Sequence, residues 1–135
     1  GAAALVYAQS ARGCFDRLVL VSGPATIEGV LSRFARFVNL GERSERLFVR
    51  DMEETVGLSV DRLDLIALAP GIEVPVLLIH DDSDSEVPVT ESVALNEAFP
   101  RSRLTHTTGY GHSRLLRNPE VVREIVEFTH SPFRP

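Results

Sequence analysis

Four acidic residues, Asp81, Asp82, Asp84 and Glu86, fall within six consecutive positions, and His112 stands directly after a Gly109-Tyr110-Gly111 turn. A carboxylate that accepts the ring N–H of a histidine fixes its tautomer. It also stabilises the imidazolium that forms when the ring takes a proton. Asp84 and His112, in that chain order, would supply two members of a nucleophile–His–acid arrangement. That chemistry requires the two side chains to meet, and so depends on the elements that carry them.

Val74–Ile79 is an unbroken apolar run rich in β-branched residues. A strand buried on both faces reads this way and belongs to a parallel sheet covered by helices. The acidic run follows its carboxyl end, where open α/β sheets build their sites. Arg17–Ser22 is a second such strand, closed by Gly23-Pro24. Ser102–Thr107 is a third, more polar and so nearer a sheet edge. Neighbouring parallel strands lie about 4.8 Å apart, so loops leaving the same end bring a carboxylate to an imidazole.

Helical spacing fills the intervals. Thr26–Asn39 carries Ile27, Val30, Leu31, Phe34, Phe37 and Val38 on one face, with Thr26 as N-cap and Gly41 as breaker. Glu42–Thr55, with Leu47, Phe48 and Met52 on one face and charges elsewhere, ends at Gly57, and Ser59–Leu68 makes a third helix before Pro70-Gly71. Thr90–Phe99 turns Val93, Ala94 and Ala98 inward. Asn118-Pro119-Glu120 starts a last helix with Val122, Ile125 and Val126 in phase. At the N-terminus, Ala2–Arg12 is a helix closed by Gly13. The expected fold is α/β, with three parallel strands in sequential order and helices on both faces. The helices between the first two strands exceed the dozen or so residues a crossover needs, so they form an insertion.

A chain of 135 residues is one domain's worth, and a net charge of −5 argues against a nucleic-acid partner. No apolar run approaches the roughly 20 residues of a spanning helix, so no membrane partner is expected. The lone Cys14 excludes an internal disulfide framework and leans to the cytoplasm; it is most simply a small buried apolar residue. No cofactor is expected. Gly1 to Ala8 is apolar from the outset, as if inside a helix whose start is missing, so the chain is expected to be a fragment.

Blander and sharper readings compete at several positions. Asp81, Asp82 and Glu86 are most simply solvated or turn-forming. Asp82-Ser83-Asp84-Ser85-Glu86 begins like a calcium loop, but Val87 stands where that loop needs glycine and Val93 where it needs Glu. Asp82-x-Asp84 after an apolar strand suggests an aspartyl phosphatase, which gives His112 no role. His80, His106 and His130 read as structural, with His80 a candidate to touch the acid loop. Ser113 reads as a helix cap. Phe34, Phe37 and Phe48 read as the core of the insertion, or alternatively as the lining of an acyl pocket.

The chain resembles the C-terminal half of an α/β-hydrolase. Pro75-Val76-Leu77-Leu78-Ile79-His80-Asp81-Asp82-Ser83-Asp84-Ser85-Glu86-Val87-Pro88 matches that family's strand followed by Gly-x-x-Asp-x-x-Val-Pro. Gly109-Tyr110-Gly111-His112 matches its glycine-preceded catalytic histidine. Arg17–Gly23 looks like the strand after the nucleophile helix, and Gly1-Ala2-Ala3-Ala4-Leu5 like the residues after the nucleophile elbow. The resemblance covers essentially the whole chain. It implies Asp84 as triad acid, His112 as general base, and the helical block Thr26–Leu68 as a cap. Two departures stand out: Asp81 replaces the family's glycine, and no Gly-x-Ser-x-Gly occurs. The nucleophile and oxyanion donors would then lie before Gly1, and this polypeptide alone would be inactive. The implied parent is a serine-type hydrolase acting on small-molecule esters. The exposed sheet edge would be masked by the missing N-terminal half or by self-association. A different class stays open: a non-catalytic α/β module that binds a partner or ligand under the cap.

Overall fold

The computed structural model describes residues 15–130. The helix expected at Ala2–Arg12, Cys14 and the tail after Ser131 lie outside them. Three strands, β1 (Leu18–Val21), β2 (Val76–Asp81) and β3 (Ser102–Thr107), form one parallel sheet in the order β1-β2-β3. The central strand is buried at every position. It begins at Val76 rather than Val74, because Pro75 has no N–H to offer the ladder. It also outlasts the apolar run, since His80 and Asp81 still pair with His106 and Thr107. Backbone pairing continues where the hydrophobic signal has stopped.

Alternation along β2 divides the core. Val76 and Leu78 join Leu20, Leu65, Leu95 and Phe99 on one face. Leu77 and Ile79 join Leu115, Val121 and Phe128 on the other. The same period of two sends His80 to the first face and Asp81 to the second. Each face is covered by a helix, α4 (Val89–Ala98) on the first and α6 (Pro119–His130) on the second.

The segment between β1 and β2 is helical throughout. In α1 (Ile27–Phe37) the Thr26 hydroxyl accepts the Gly29 N–H at 3.1 Å. The helix stops on Asn39, not Gly41: Asn39 takes a left-handed φ of 55°, and Leu40 N–H closes back on Ala35 O. Gly41, in extended conformation, instead precedes α2 (Glu42–Val56), which ends on Gly57 at φ 72°. The single helix expected at 59–68 is split. Asp64 caps α3 (Leu65–Leu68) by accepting from Ile66 and Ala67 N–H, after a 3₁₀ turn at Val60–Leu63. A further 3₁₀ turn, Ala69–Gly71, leads to β2. On the far side of β3, α5 (Gly111–Arg114) and a 3₁₀ turn lead to α6, where Asn118 Oδ1 accepts the Glu120 N–H at 2.9 Å.

Three expected helix faces differ. α4 buries Ser92 and Leu95, with Val93 exposed; α6 buries Val121 and Phe128, with Val122 and Val126 exposed; α2 buries nothing. A serine faces inward on α4 because His80 supplies it with a hydrogen-bond partner. Sequence periodicity locates an apolar stripe but does not say which helices the core will need.

Leu78 is fully buried and Leu116 is 61% exposed. Leu78→Ala is expected to cost about 2–5 kcal/mol in urea unfolding. Leu116→Ala is expected to stay within about 0.5 kcal/mol of the parent.

Candidate functional site

Where β2 ends, the chain turns on its own carboxylates. Asp81 Oδ1 accepts the Ser83 N–H at 3.1 Å, and Asp84 N–H closes on Asp81 O at 3.0 Å. Asp84 Oδ1 then accepts both Glu86 N–H and Val87 N–H at 2.9 Å. The turn thus holds the Asp84 side chain with no exposed surface, its Oδ2 left for side chains.

His112 Nδ1 donates to Asp84 Oδ2 at 2.9 Å. The imidazole arrives there because Gly109 and Gly111, at φ 91° and 61°, fold the chain back after β3; a side-chain-bearing residue would be strained at either. His112 is partly covered, with 32% of its side chain exposed. Its Nε2 makes no hydrogen bond among the described residues. Below it, His80 is fully buried. Its Nε2–H points to Val87 O at 2.9 Å and lies 3.3 Å from Asp84 Oδ2, while its Nδ1 accepts the Ser92 hydroxyl at 2.6 Å. Asp84 Oδ2 therefore faces two rings. Burial alone would raise its pKa. The N–H groups of Val87 and Glu86 and the His112 ring outweigh that and hold the carboxyl below its ordinary value.

The structure therefore brings Asp84 and His112 together at one end of the sheet, and places His80 against the acid loop. Asp81 differs from the solvated reading: it is fully buried. It accepts the Thr107 hydroxyl at 2.7 Å, Tyr110 N–H at 3.1 Å and Gly111 N–H at 3.0 Å, besides the Ser83 hydroxyl and backbone. Burial raises its pKa, but these donors together hold the carboxyl well below the usual range. Its position directly after an apolar strand was the available signal. Asp82, at the surface, pairs with His106 Nδ1 at 2.7 Å. Ser113 sits inside α5 and caps nothing, and His130 bonds Val126 O in its own helix. Among the described residues no cluster of three or more His, Cys, Asp or Glu could hold a metal ion.

His112 also borders a cavity of about 990 Å³, walled by Pro24, Val30, Phe34, Phe37 and Val87. Phe37 is 87% exposed and Phe34 nearly half, with Phe48 packed against Phe34 at 5.6 Å, so these rings are not a buried core. Arg33, whose guanidinium pairs with Glu91, and Ser22 supply polar groups. Ser22 is a residue that sequence spacing passes over. It is buried, at a left-handed φ of 47°, and its hydroxyl has no hydrogen-bond partner among the described residues. It makes no bond to His112.

A carboxyl held below its unfolded value, about 3.9 for Asp, stabilises the fold above that pH and stops doing so as the pH falls through the folded value. Stability is therefore expected to decline below about pH 4. Asp84→Asn is expected to cost about 1–3 kcal/mol at pH 7 and to make the acid decline shallower. Urea midpoints from pH 7 to 3 check this, and an unaltered acid limb would contradict the assignment.

No family model matches the sequence, and no curated protein matches it. Solved structures do. An α/β-hydrolase enzyme from a Medee basin deep-sea metagenome library is 18% identical with a TM-score of 0.65, the match covering 99% of this chain and 63% of that one. An esterase from Rhodococcus sp. ECU1013 is 21% identical with a TM-score of 0.64, covering 95% and 61%. A monoacylglycerol lipase from Paleococcus ferrophilus is 19% identical with a TM-score of 0.61, covering 95% and 63%. The chain thus spans less than two thirds of the length of these proteins. In their three parallel strands and flanking helices, the described residues have the α/β-hydrolase fold over part of the length of those proteins.

Proposed function

We propose that this chain supplies the acid and the general base of a serine-type hydrolase acting on carboxylic esters. The observation that carries the reading is the 2.9 Å bond from His112 Nδ1 to a fully buried Asp84 carboxylate. Asp84 holds the proton on Nδ1, so Nε2 is the ring's basic atom. Nε2 takes the proton of an attacking serine hydroxyl and returns it to the leaving alkoxide. Asp84 stabilises the imidazolium in between. The 135 residues contain no Gly-x-Ser-x-Gly, so the nucleophile and the oxyanion donors come from outside this stretch, which is without esterase activity alone.

The helical segment after β1 acts as the cap. Its Phe34 and Phe37, with Val87 of the acid loop, give the cavity an apolar wall suited to an acyl group. The outer edge of β1, which has no strand partner among the described residues, would pair with a strand from outside this stretch or with a second copy. The absence of the elbow motif also favours one other reading: a module that binds an apolar ligand in this cavity without turning it over.

In a protein where a Gly-x-Ser-x-Gly elbow precedes this chain, p-nitrophenyl acetate is expected to be hydrolysed. His112→Ala and Asp84→Asn should each lower kcat by ~10³-fold or more. Lack of labelling of that protein by a fluorophosphonate would sink the hydrolase reading. The 135-residue chain itself should show no hydrolysis; turnover abolished by His112→Ala would overturn the claim that it is inactive alone.

A further inference from the structure

We propose that Asp81 is a positioning residue whose carboxylate sets the His112 loop against Asp84; this rests on the dyad reading above. The three amides that lead into His112 are all held from the acid loop. Tyr110 and Gly111 N–H donate to Asp81 Oδ2 and Oδ1, and Gly109 N–H donates to the Ser83 hydroxyl, which itself donates to Asp81. Tyr110 is right-handed and Gly111 left-handed. Successive N–H groups in that conformation form a concave nest that accepts an anion. Here the anion is part of the chain itself.

The carboxylate cannot shift easily. It is the last residue of β2, in register with Thr107, whose hydroxyl donates to it at 2.7 Å. One end of the device is thus anchored in the sheet and the other ends one residue before the imidazole. A purely structural carboxylate would stabilise the strand end. A positioning one must also control whether His112 meets Asp84.

The test is NMR of the full chain: amide exchange at Tyr110 and Gly111, and the His112 Nδ1–H proton. Asp81→Asn keeps the size of the side chain but removes its charge and puts an NH2 donor in place of one of the two acceptor oxygens. It is expected to speed exchange at Tyr110 and Gly111 about tenfold and to abolish the protected Nδ1–H signal, while amides inside β2 and β3 stay as in the parent. Ser83→Ala, at an exposed position, should produce the same change in weaker form, centred on Gly109. If Asp81→Asn folds and leaves the Nδ1–H signal and both amides unaltered, the proposal is overturned. If Asp81→Asn does not fold, unaltered exchange in Ser83→Ala overturns it. Asp84→Asn separates the two ideas. A signal indifferent to Asp84→Asn removes the dyad reading, whereas one sensitive to Asp84→Asn and indifferent to Asp81→Asn removes the positioning role alone.

Discussion

The parallel pairing of β2 with β3 is the constraint on which the rest depends. It runs unbroken from Val76 opposite Ser102 to Asp81 opposite Thr107. Both strands therefore end at the same level and on the same rim, and the two loops that follow start as neighbours. An acid and a histidine 28 residues apart in sequence meet only because of that pairing. The period of two along β2 adds a second consequence. Consecutive residues at its end, His80 and Asp81, support the site from opposite faces of the sheet.

Two carboxylates with no exposed surface, Asp81 and Asp84, lie three residues apart, where unsatisfied charge would be costly. Each is saturated with donors, mostly backbone N–H groups that a turn presents at no cost in side-chain entropy. Burial works against both charges and the donors prevail. The outcome is a rigid acid loop whose remaining oxygen faces two imidazoles. The His80 ring is committed on both nitrogens. Among the described residues the His112 ring is committed on one only.

Within the helical segment between β1 and β2, α1 and α2 behave differently from the sheet-packed helices. α2 buries no residue, and α1 contributes Leu31 and Ala35 to the interior while leaving Phe34 and Phe37 at the cavity. α3 of this segment joins the sheet core through Leu65, and α1 is tied down by polar contacts as well: Glu91 of α4 binds both the Arg33 guanidinium and the Ala25 N–H at the foot of α1.

Much of this was legible from residue types and spacing. The three strands, their parallel sequential order, Thr26 as a cap, the Gly57 stop and the Asn118-Pro119 start each follow from rules that act over a few residues. So does the suspicion that Asp84 and His112 belong together, since both follow strands. What escaped the sequence was decided by partners distant in the chain. β2 extended through His80 and Asp81 because β3 was there to pair with them. Ser92 turned inward because His80 was there to bond it, and Val93 turned out as a result. Asp81 was buried because Thr107, Tyr110 and Gly111 came round to donate to it. A polar side chain reads as exposed until its partners are known, and only the folded backbone brings those partners within hydrogen-bond reach.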